Sequence, residues 1–274
     1  MKFTKMQGIG NDFIIMEHDE LNGMSEKELA VKLCDRHFGI GADGLILVCD
    51  STAQDVRMEI INSDGSEAQM CGNGIRCFTK YVFERGIVKK KKMNIETLAG
   101  VIISEVFLDN EGKVNKVRAD MGAPVLEREK IPVRGSGTFI NQRLPILGKI
   151  FYISAVNTGV PHAVIFIDDI DNFDVTAYGQ AIEKNENFPA GTNADFVKAI
   201  GKDELKMKTW ERGAGLTLAC GSGACAAAYI SYIIGLTNNR VNVNLPGGKL
   251  FIEIEDNICM TGPCEKVFAG DVNV

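Results

Sequence analysis

The sequence lacks any apolar run that approaches the roughly 20 residues needed by a membrane-spanning helix. Its apolar runs, such as residues 45–48 and 164–167, have the length of strands. The first residues also lack the apolar stretch and the small-residue cleavage site of a signal peptide. We therefore expect a cytoplasmic protein that does not interact with a membrane.

An excess of positive charge is also missing. The 274 residues include 30 Lys and Arg against 36 Asp and Glu, which gives a formal net charge of −6. A mildly acidic chain binds the phosphate backbone of nucleic acids poorly, and the short run Lys89–Lys92 fits a solvated turn. We therefore expect no nucleic-acid partner.

Cysteine spacings typical of metal sites are missing as well. The chain has 8 cysteines and 3 histidines, without a Cys-x-x-Cys motif or a histidine pair at helical spacing. In a reducing compartment these cysteines stay thiols rather than forming a disulfide framework. We therefore expect no bound metal, and we interpret the cysteines as small buried side chains or reactive groups.

What the sequence does contain is an internal repeat. Residues 71–77 resemble residues 220–225, and their first cysteines are 149 positions apart. A length of about twice a usual domain agrees with a duplication. One further match, Ala42-Asp43 with Ala194-Asp195, has an offset of 152, which we interpret as a difference in loop length. Other landmarks keep the offset of 149, namely Gly10 and Gly159, Ser25 and Asp174, Met58 and Met207, Asn62 and Glu211, and Gly86 and Gly235.

The hydrophobic pattern indicates an α+β fold in two similar halves. Strand-like runs surround one principal helix in each half, which begins after Cys71 or Cys220 and ends at Gly86 or Gly235. The second of these helices is apolar nearly all round, so we expect strands to enclose it. Shorter helices are predicted to start after Ser25, where residues 25–28 fit a capping box, and after Asp174.

Cys71 and Cys220 are the strongest candidates for chemistry. Each stands immediately before a Gly-polar-Gly turn that opens a helix. Amides at a helix start favour a thiolate and can hold a carboxylate. Two such cysteines in equivalent places of duplicated domains indicate opposed faces of one cleft. This arrangement favours inversion at a carbon that bears hydrogen, with one thiolate removing a proton and the other thiol returning one.

Four ordered motifs span nearly the whole chain: residues 6–13, residues 62–67 leading to 71–76, residues 159–162, and residues 211–215 leading to 219–223. Together they resemble the diaminopimelate epimerase family. The resemblance implies two domains, each with strands wrapped around a central helix, formed by residues 1–119 with 264–274 and by residues 120–263. It also implies an amino-acid substrate, no cofactor, a homodimer, and a place in the synthesis of lysine and cell-wall precursors.

The resemblance also implies roles for particular residues. Cys71 and Cys220 correspond to the catalytic acid/base pair, and His162 and Glu211 to positions that tune the pKa of the thiols. The residues that correspond to substrate contacts are Gly72, Asn73, Gly221 and Ser222 at the reacting end and Asn11, Asn62, Asn193, Glu211 and Arg212 at the distal end.

Two positions depart from the family pattern. Val160 replaces a substrate-binding asparagine, and Leu216 stands where the family usually has glutamate. The first departure affects one expected distal contact. Two other functions stay open at this point: a proline or hydroxyproline racemase, and a non-catalytic protein that binds amino acids or senses thiol oxidation. The motif at residues 211–213 favours diaminopimelate, because proline has no distal ammonium and carboxylate groups.

Overall fold

A computed structural model describes residues 1–21 and 23–273. The chain divides into two compact units, Met1–Asp120 with Thr261–Val274, and Met121–Met260. Within the described residues, no helix combines the length and the apolar character that crossing a membrane would require.

The described part of the first unit is a mixed sheet with two α-helices. Its strands pair in the order β18-β1-β2-β3-β4-β6-β7-β8, with β5 also on β4. The β2–β3 and β4–β6 pairs are parallel and the others antiparallel. The elements are β1 Lys2–Gly8, β2 Asn11–Glu17, α1 Glu26–Cys34, β3 Gly44–Cys49, β4 Val56–Asn62, β5 Glu67–Ala68, α2 Gly72–Glu84, β6 Lys92–Thr97, β7 Gly100–Leu108, β8 Val114–Asp120 and β18 Glu265–Asp271.

The second unit repeats this arrangement. Its strands pair in the order β9-β10-β11-β12-β13-β15-β16, with β14 also on β13 and with parallel β11–β12 and β13–β15 pairs. The elements are β9 Gln142–Ile146, β10 Lys149–Asn157, β11 Pro161–Phe166, α3 Val175–Glu183, β12 Asn193–Gly201, β13 Glu204–Glu211, β14 Gly215–Thr217, α4 Gly221–Ile233, β15 Arg240–Leu245 and β16 Gly248–Ile254, and β17 Ile258–Gly262 crosses the unit boundary.

Helices α2 and α4 form the centres of their units. Helix α2 packs against β1, β2 and β3 and also against β7 and β8, so its sheet curves around it. Helix α4 contacts β10 to β13, β15 and β16 in the same way. Ala224 to Ala228 are all buried, because small side chains let the surrounding strands approach the helix closely. The prediction of an α+β fold in two similar halves, each with an enclosed helix, is confirmed.

The shorter helices cover the other side of each sheet. Leu29 and Leu33 of α1 pack with Leu45 and Leu47 of β3. In the second unit, Tyr178 of α3 packs in a cluster of aromatic side chains. Each fully buried side chain of this kind stabilises the fold by about 1.5–3 kcal/mol. These helices cover the outer face along β3 and β4 in the first unit and along β12 and β13 in the second, whereas outward side chains of β7 stay exposed.

The helix ends follow the predicted signals, with one correction. Gly86 and Gly235 have φ values of 71° and 79°, which a glycine adopts at low cost, and they follow the ends of α2 and α4. The Asp174 carboxylate caps α3 by accepting from the Ala177 amide at 3.0 Å. The predicted capping box at Ser25 is wrong: α1 begins there, but the Ser25 side chain caps no amide among the described residues.

Strand register shows that the repeat keeps one offset through the core. Phe13 pairs with Gly44 across the β2–β3 ladder, and His162 pairs with Asn193 across β11–β12, each 149 positions later. The β3–β4 and β12–β13 ladders keep the same offset. The predicted match of Asp43 with Asp195 at 152 is therefore wrong. That match rested on two identical residues, Ala and Asp, whereas the strand pairing places Asp195 at the position of Ile46.

Candidate active site

Cys220 is the N-cap of α4. Its Sγ atom accepts a hydrogen bond from the Gly223 amide at 3.4 Å and lies 3.5 Å from Ser222 Oγ. The residue is 5% exposed. Burial raises the pKa of the Cys220 thiol well above its usual range, and the nearby charges of Glu211 and Asp195 raise it further, while the two hydrogen bonds act in the opposite direction. A thiolate at Cys220 therefore depends on the polar groups around it.

Glu211 ends β13 beside this cysteine. Its Oε1 accepts a hydrogen bond from Thr217 Oγ1 at 2.5 Å. Burial raises the pKa of the Glu211 carboxyl above its usual value, although hydrogen bonding to Thr217 and Cys220 partly offsets the effect. The site therefore combines a thiol and a carboxyl, both of which are easier to protonate than they would be in water.

His162 on β11 connects the start of α4 to the interior of the second unit. Its Nε2 lies 2.9 Å from Ser222 Oγ, and its Nδ1 lies 2.7 Å from Asp195 Oδ2 on β12. Both side chains are fully buried. Asp195 Oδ1 accepts a further hydrogen bond from Thr209 Oγ1 at 2.8 Å. Cys220, Ser222, His162 and Asp195 thus form a continuous polar chain.

Asn193 and Arg212 form a second group in this unit. Asn193 Oδ1 accepts a hydrogen bond from the Arg212 amide at 2.8 Å, and its Nδ2 donates to the Pro161 carbonyl at 3.1 Å. The Arg212 guanidinium donates to the Ala190 carbonyl at 2.8 Å. It also borders a cavity of about 510 Å³ that includes Arg134. A guanidinium held in this way keeps further N–H groups for an anionic ligand.

Cys71 is the corresponding N-cap of α2. Its Sγ atom accepts from the Gly74 amide at 3.4 Å and donates to Asn11 Oδ1 at 3.6 Å. Asn73 Nδ2 donates to the same Asn11 oxygen at 3.2 Å. Local sequence therefore places Cys71 and Cys220 at the same step of their helices, with different polar neighbours.

Arg76 stabilises the first turn of α2 by hydrogen bonds from its side chain. Its side chain is fully buried, and its Nη1 and Nη2 donate to the Gly72 carbonyl at 3.0 Å and to Asn73 Oδ1 at 2.8 Å. A Cβ at Gly8 would lie 3.1 Å from Arg76 Nη2. Gly8 therefore leaves room for the guanidinium, which fixes the turn that follows Cys71.

The predicted site residues fall into local groups. The second unit brings together Cys220, Ser222, His162 and Glu211, and the first brings together Cys71, Asn73 and Asn11. Asn62 is the last residue of β4, and its Nδ2 donates to Ser66 Oγ in the turn that follows, at 3.0 Å. Both departures from the family pattern lie near the surface: Val160 is 37% exposed and Leu216 is 53% exposed.

Sequence reasoning missed three residues that support these groups. They are Asp195, which contacts His162, Arg76, which holds the turn after Cys71, and Asp43, which accepts a hydrogen bond from Asn11. The sequence patterns give none of them a role in the site. One signal was present for Asp195: it is a single carboxylate in the otherwise apolar run Ala194–Val197. A buried acid of this kind needs hydrogen-bonding partners from neighbouring strands.

Comparisons with known proteins agree with these local motifs. A sequence profile described as diaminopimelate epimerase matches residues 3–127 and 154–267. The chain is 51% identical to the diaminopimelate epimerase of Caldanaerobacter subterraneus subsp. tengcongensis, over all of both chains. It is 48% identical to that of Heliobacterium modesticaldum, over 99% of each.

Among solved structures, a hydroxyproline epimerase from Agrobacterium vitis is similar with a TM-score of 0.72 and 13% identity, over 99% of this chain and 90% of that one. That likeness concerns the fold alone. The full-length identity and the profile match decide the family, and the resemblance predicted from the four motifs is confirmed. The chain belongs to the diaminopimelate epimerase family.

Proposed function

We propose that the protein is an isomerase that interconverts L,L-2,6-diaminopimelate and its meso isomer by proton transfer at one α-carbon. The observation that carries the proposal is the placement of Cys71 and Cys220 as N-caps of two equivalent buried helices. Two full-length relatives, 51% and 48% identical to this chain, carry the name diaminopimelate epimerase, and this supports the choice of substrate.

In the proposed reaction one cysteine acts as a thiolate and the other as a thiol. The thiolate takes the α-proton from one face of the carbon, which breaks the C–H bond and leaves a carbanion. The thiol gives its proton to the opposite face, which forms the new C–H bond with inverted configuration. The roles of Cys71 and Cys220 exchange in the reverse direction, and the reaction needs no metal or organic cofactor.

The difficult step is the weak acidity of the α-proton. We assign the substrate's α-carboxylate to the amides at the two helix starts, at Gly72 and Asn73 and at Gly221 and Ser222. Preorganised N–H groups and the positive ends of helix dipoles stabilise the charge that develops on the carboxylate as the proton leaves. Glycine beside each cysteine leaves the backbone accessible to the ligand.

His162 and Glu211 tune the thiols in this proposal. Burial raises the pKa of both Glu211 and Cys220, so a proton is held easily at this position. The Ser222 hydroxyl, which lies within 2.9 Å of His162 Nε2, gives the Cys220 proton a route to an imidazole. A thiolate can then form without exposure of the site to water.

The distal end of the substrate carries an ammonium and a carboxylate. We assign its carboxylate to Arg212, since a guanidinium can donate two parallel hydrogen bonds to a carboxylate. The remaining distal contacts are assigned to Asn11, Asn62, Asn193 and Glu211. Side-chain amides suit this end of the substrate because they can both donate and accept hydrogen bonds. We further infer a cytoplasmic homodimer that acts in lysine and cell-wall precursor synthesis, as the family resemblance implies.

Incubation with L,L-diaminopimelate in deuterated water tests the function. We expect the meso isomer to form and deuterium to enter the α-position, with no exchange into proline. Exchange into proline would favour a racemase of that substrate class instead. Binding of diaminopimelate without deuterium entry would show a non-catalytic protein.

The cysteine variants test the two-thiol mechanism. Cys71→Ala and Cys220→Ala should each lower epimerisation by about a thousandfold or more, because each removes one proton carrier. Cys49→Ala is the matched control, since this half-buried cysteine lies on β3 away from the helix starts. Near-normal turnover by Cys71→Ala or Cys220→Ala would contradict the mechanism.

A further inference from the structure

Asp195 has a feature that the proposed roles do not use. It is a fully buried carboxylate whose two oxygens contact His162 Nδ1 at 2.7 Å and Thr209 Oγ1 at 2.8 Å. A carboxylate without hydrogen-bond donors would be costly at this depth. A hydrogen on the ring nitrogen that faces Asp195 would satisfy this carboxylate, and in that tautomer the other ring nitrogen is an acceptor.

The fold itself does not require this polar chain. The first unit has the same strand order and the same register, and there the positions of His162, Asp195 and Thr209 are occupied by Phe13, Ile46 and Ile60. All three of these side chains are buried and apolar. An apolar core therefore builds the same architecture, so the polar residues of the second unit serve another purpose.

The start of α4 is shaped to receive the carboxylate. A Cβ on Gly223 would lie 2.6 Å from Asp195 Oδ1, which is closer than a real Cβ contact. Glycine at this position lets the first turn of the helix lie directly against Asp195.

We propose that Asp195 is a positioning residue that holds His162 with hydrogen on Nδ1, so that Nε2 accepts the proton of Cys220 through the Ser222 hydroxyl. This inference rests on the proposed function, since it concerns how one of the two thiols loses its proton. It adds Asp195 to the proton route through Ser222 and changes neither the substrate nor the overall reaction.

The route conserves protons and breaks only bonds to hydrogen. The Cys220 S–H bond breaks as Ser222 Oγ gains that proton, and the original Ser222 proton passes to His162 Nε2. The products are a thiolate and an imidazolium, and the imidazolium faces the Asp195 carboxylate. The 3.5 Å and 2.9 Å separations along the route are within the reach of hydrogen bonds to sulfur and to oxygen.

Among the described residues, Glu211 on β13 is a further ionisable group beside the route. Glu211 interacts with the thiol and also forms a hydrogen bond to Thr217. Asp195, in contrast, touches the ring of His162 and does not need to contact the substrate. Its effect is therefore expected on turnover rather than on substrate affinity.

The test combines kinetics with nitrogen NMR of the ring. The chain has only 3 histidines, so His162 can be assigned by comparison with a His162→Gln sample. In the wild type we expect the Nδ1–H form and a strongly downfield Nδ1 proton. In Asp195→Asn that downfield proton should be lost, and kcat should fall by about a hundredfold with KM changed less than about threefold.

Thr209→Val is the matched control. It removes the other hydrogen bond to the same carboxylate in an equally buried place, but it leaves the His162 contact intact. We expect it to keep the downfield proton and to lower kcat by less than about tenfold. If Thr209→Val lowers kcat as much as Asp195→Asn does while the downfield proton is unchanged, Asp195 only supports the packing.

The outcomes separate this inference from the proposed function. A wild-type His162 in the Nε2–H form would overturn the inference even if epimerisation is normal. Full kcat in Asp195→Asn would do the same. Absence of deuterium exchange in the wild type would overturn the proposed function and with it the proton route, whatever the NMR spectrum shows.

Discussion

The Asn11 side-chain amide donates a hydrogen bond to Asp43 Oδ2 across 2.6 Å. This contact fixes which end of the amide is turned towards the start of α2. Asn11 Oδ1 consequently receives hydrogen bonds from Cys71 and Asn73. Arg36 donates a hydrogen bond to the other oxygen of Asp43, Oδ1, at 2.7 Å. Asp43 therefore sets the orientation of Asn11 without contacting the Cys71 thiol itself.

We predict that Asp43→Ala raises KM by about five- to tenfold, with a smaller effect on kcat. The Asn11 amide could then rotate, and the loss of one hydrogen bond to a charged group is worth about 1.5 kcal/mol. Asp109→Ala is the control, because Asp109 caps a surface turn in the same unit. Steady-state kinetics on both variants check the prediction, and an unchanged KM in Asp43→Ala would contradict it.

Acid should weaken the first unit through Asp12. Burial by itself would raise the pKa of this carboxyl, but hydrogen bonds from Arg36 and Lys5 outweigh it and lower the pKa to about 2. A lowered pKa in the folded state stabilises the fold at pH values above the unfolded pKa of about 4, and this contribution disappears as the pH falls towards 2.

The corresponding variant is Asp12→Asn. Near neutral pH we expect it to lower the free energy of unfolding by about 2 kcal/mol, and the difference from the wild type should vanish towards pH 2. Urea unfolding followed by circular dichroism over that range measures both curves. A difference that stays constant with pH would show that the Asp12 charge does not stabilise the fold.

Sequence patterns predicted the repeated fold well because its signals are local. The Gly-polar-Gly turns, the apolar helix of the second half and the glycines at 86 and 235 act within a few residues of chain. Strand register was less accessible, because it depends on pairing between distant segments. The two-letter match of Asp43 with Asp195 gave an offset that the ladders contradict.

The same distinction applies to the site. Cys71 and Cys220 could be found because the N-cap position is encoded beside them. The contact of His162 with Asp195 could not, since it requires β11 and β12, which are distant along the chain, to be neighbours in the sheet. Arg76 was equally hidden, because its partners at Gly72 and Asn73 become visible only when the turn of α2 is built.

Arg212 should control affinity for the distal end of the substrate. Because Arg212→Ala removes two parallel hydrogen bonds to a carboxylate, we expect KM to rise by about a hundredfold. Arg212→Lys should recover only part of this loss, since lysine lacks the planar fork. Arg134→Ala is the control: Arg134 borders the same cavity but pairs with Glu186 at the surface. Equal effects of both alanine variants would mean that the distal site is misplaced.

Glu211→Gln should make the Cys220 thiol more acidic. Burial is the main cause of the high pKa of Cys220, and the Glu211 charge raises that pKa further. Removing a negative charge favours the thiolate, so the pKa falls. Ultraviolet absorbance of the thiolate, measured as a difference from Cys220→Ala, follows the titration. Glu204→Gln, at the exposed start of β13, should leave the titration unchanged.

Two glycines at the same helical position should differ in their tolerance of alanine. Gly74 and Gly223 are both the third residue of their helices. A Cβ on Gly74 would meet the end of the flexible Ile46 side chain at 3.2 Å, whereas one on Gly223 would lie 2.6 Å from Asp195 Oδ1. The isoleucine can move, but the carboxylate is held by His162 and Thr209.

We therefore expect Gly223→Ala to lower the free energy of unfolding by about 2–3 kcal/mol and Gly74→Ala to change it by less than about 1 kcal/mol. Helix propensity cannot explain such a difference, because it favours alanine equally at both positions. Urea unfolding of both variants measures the two values. A Gly223→Ala protein as stable as Gly74→Ala would mean that α4 does not pack tightly against Asp195.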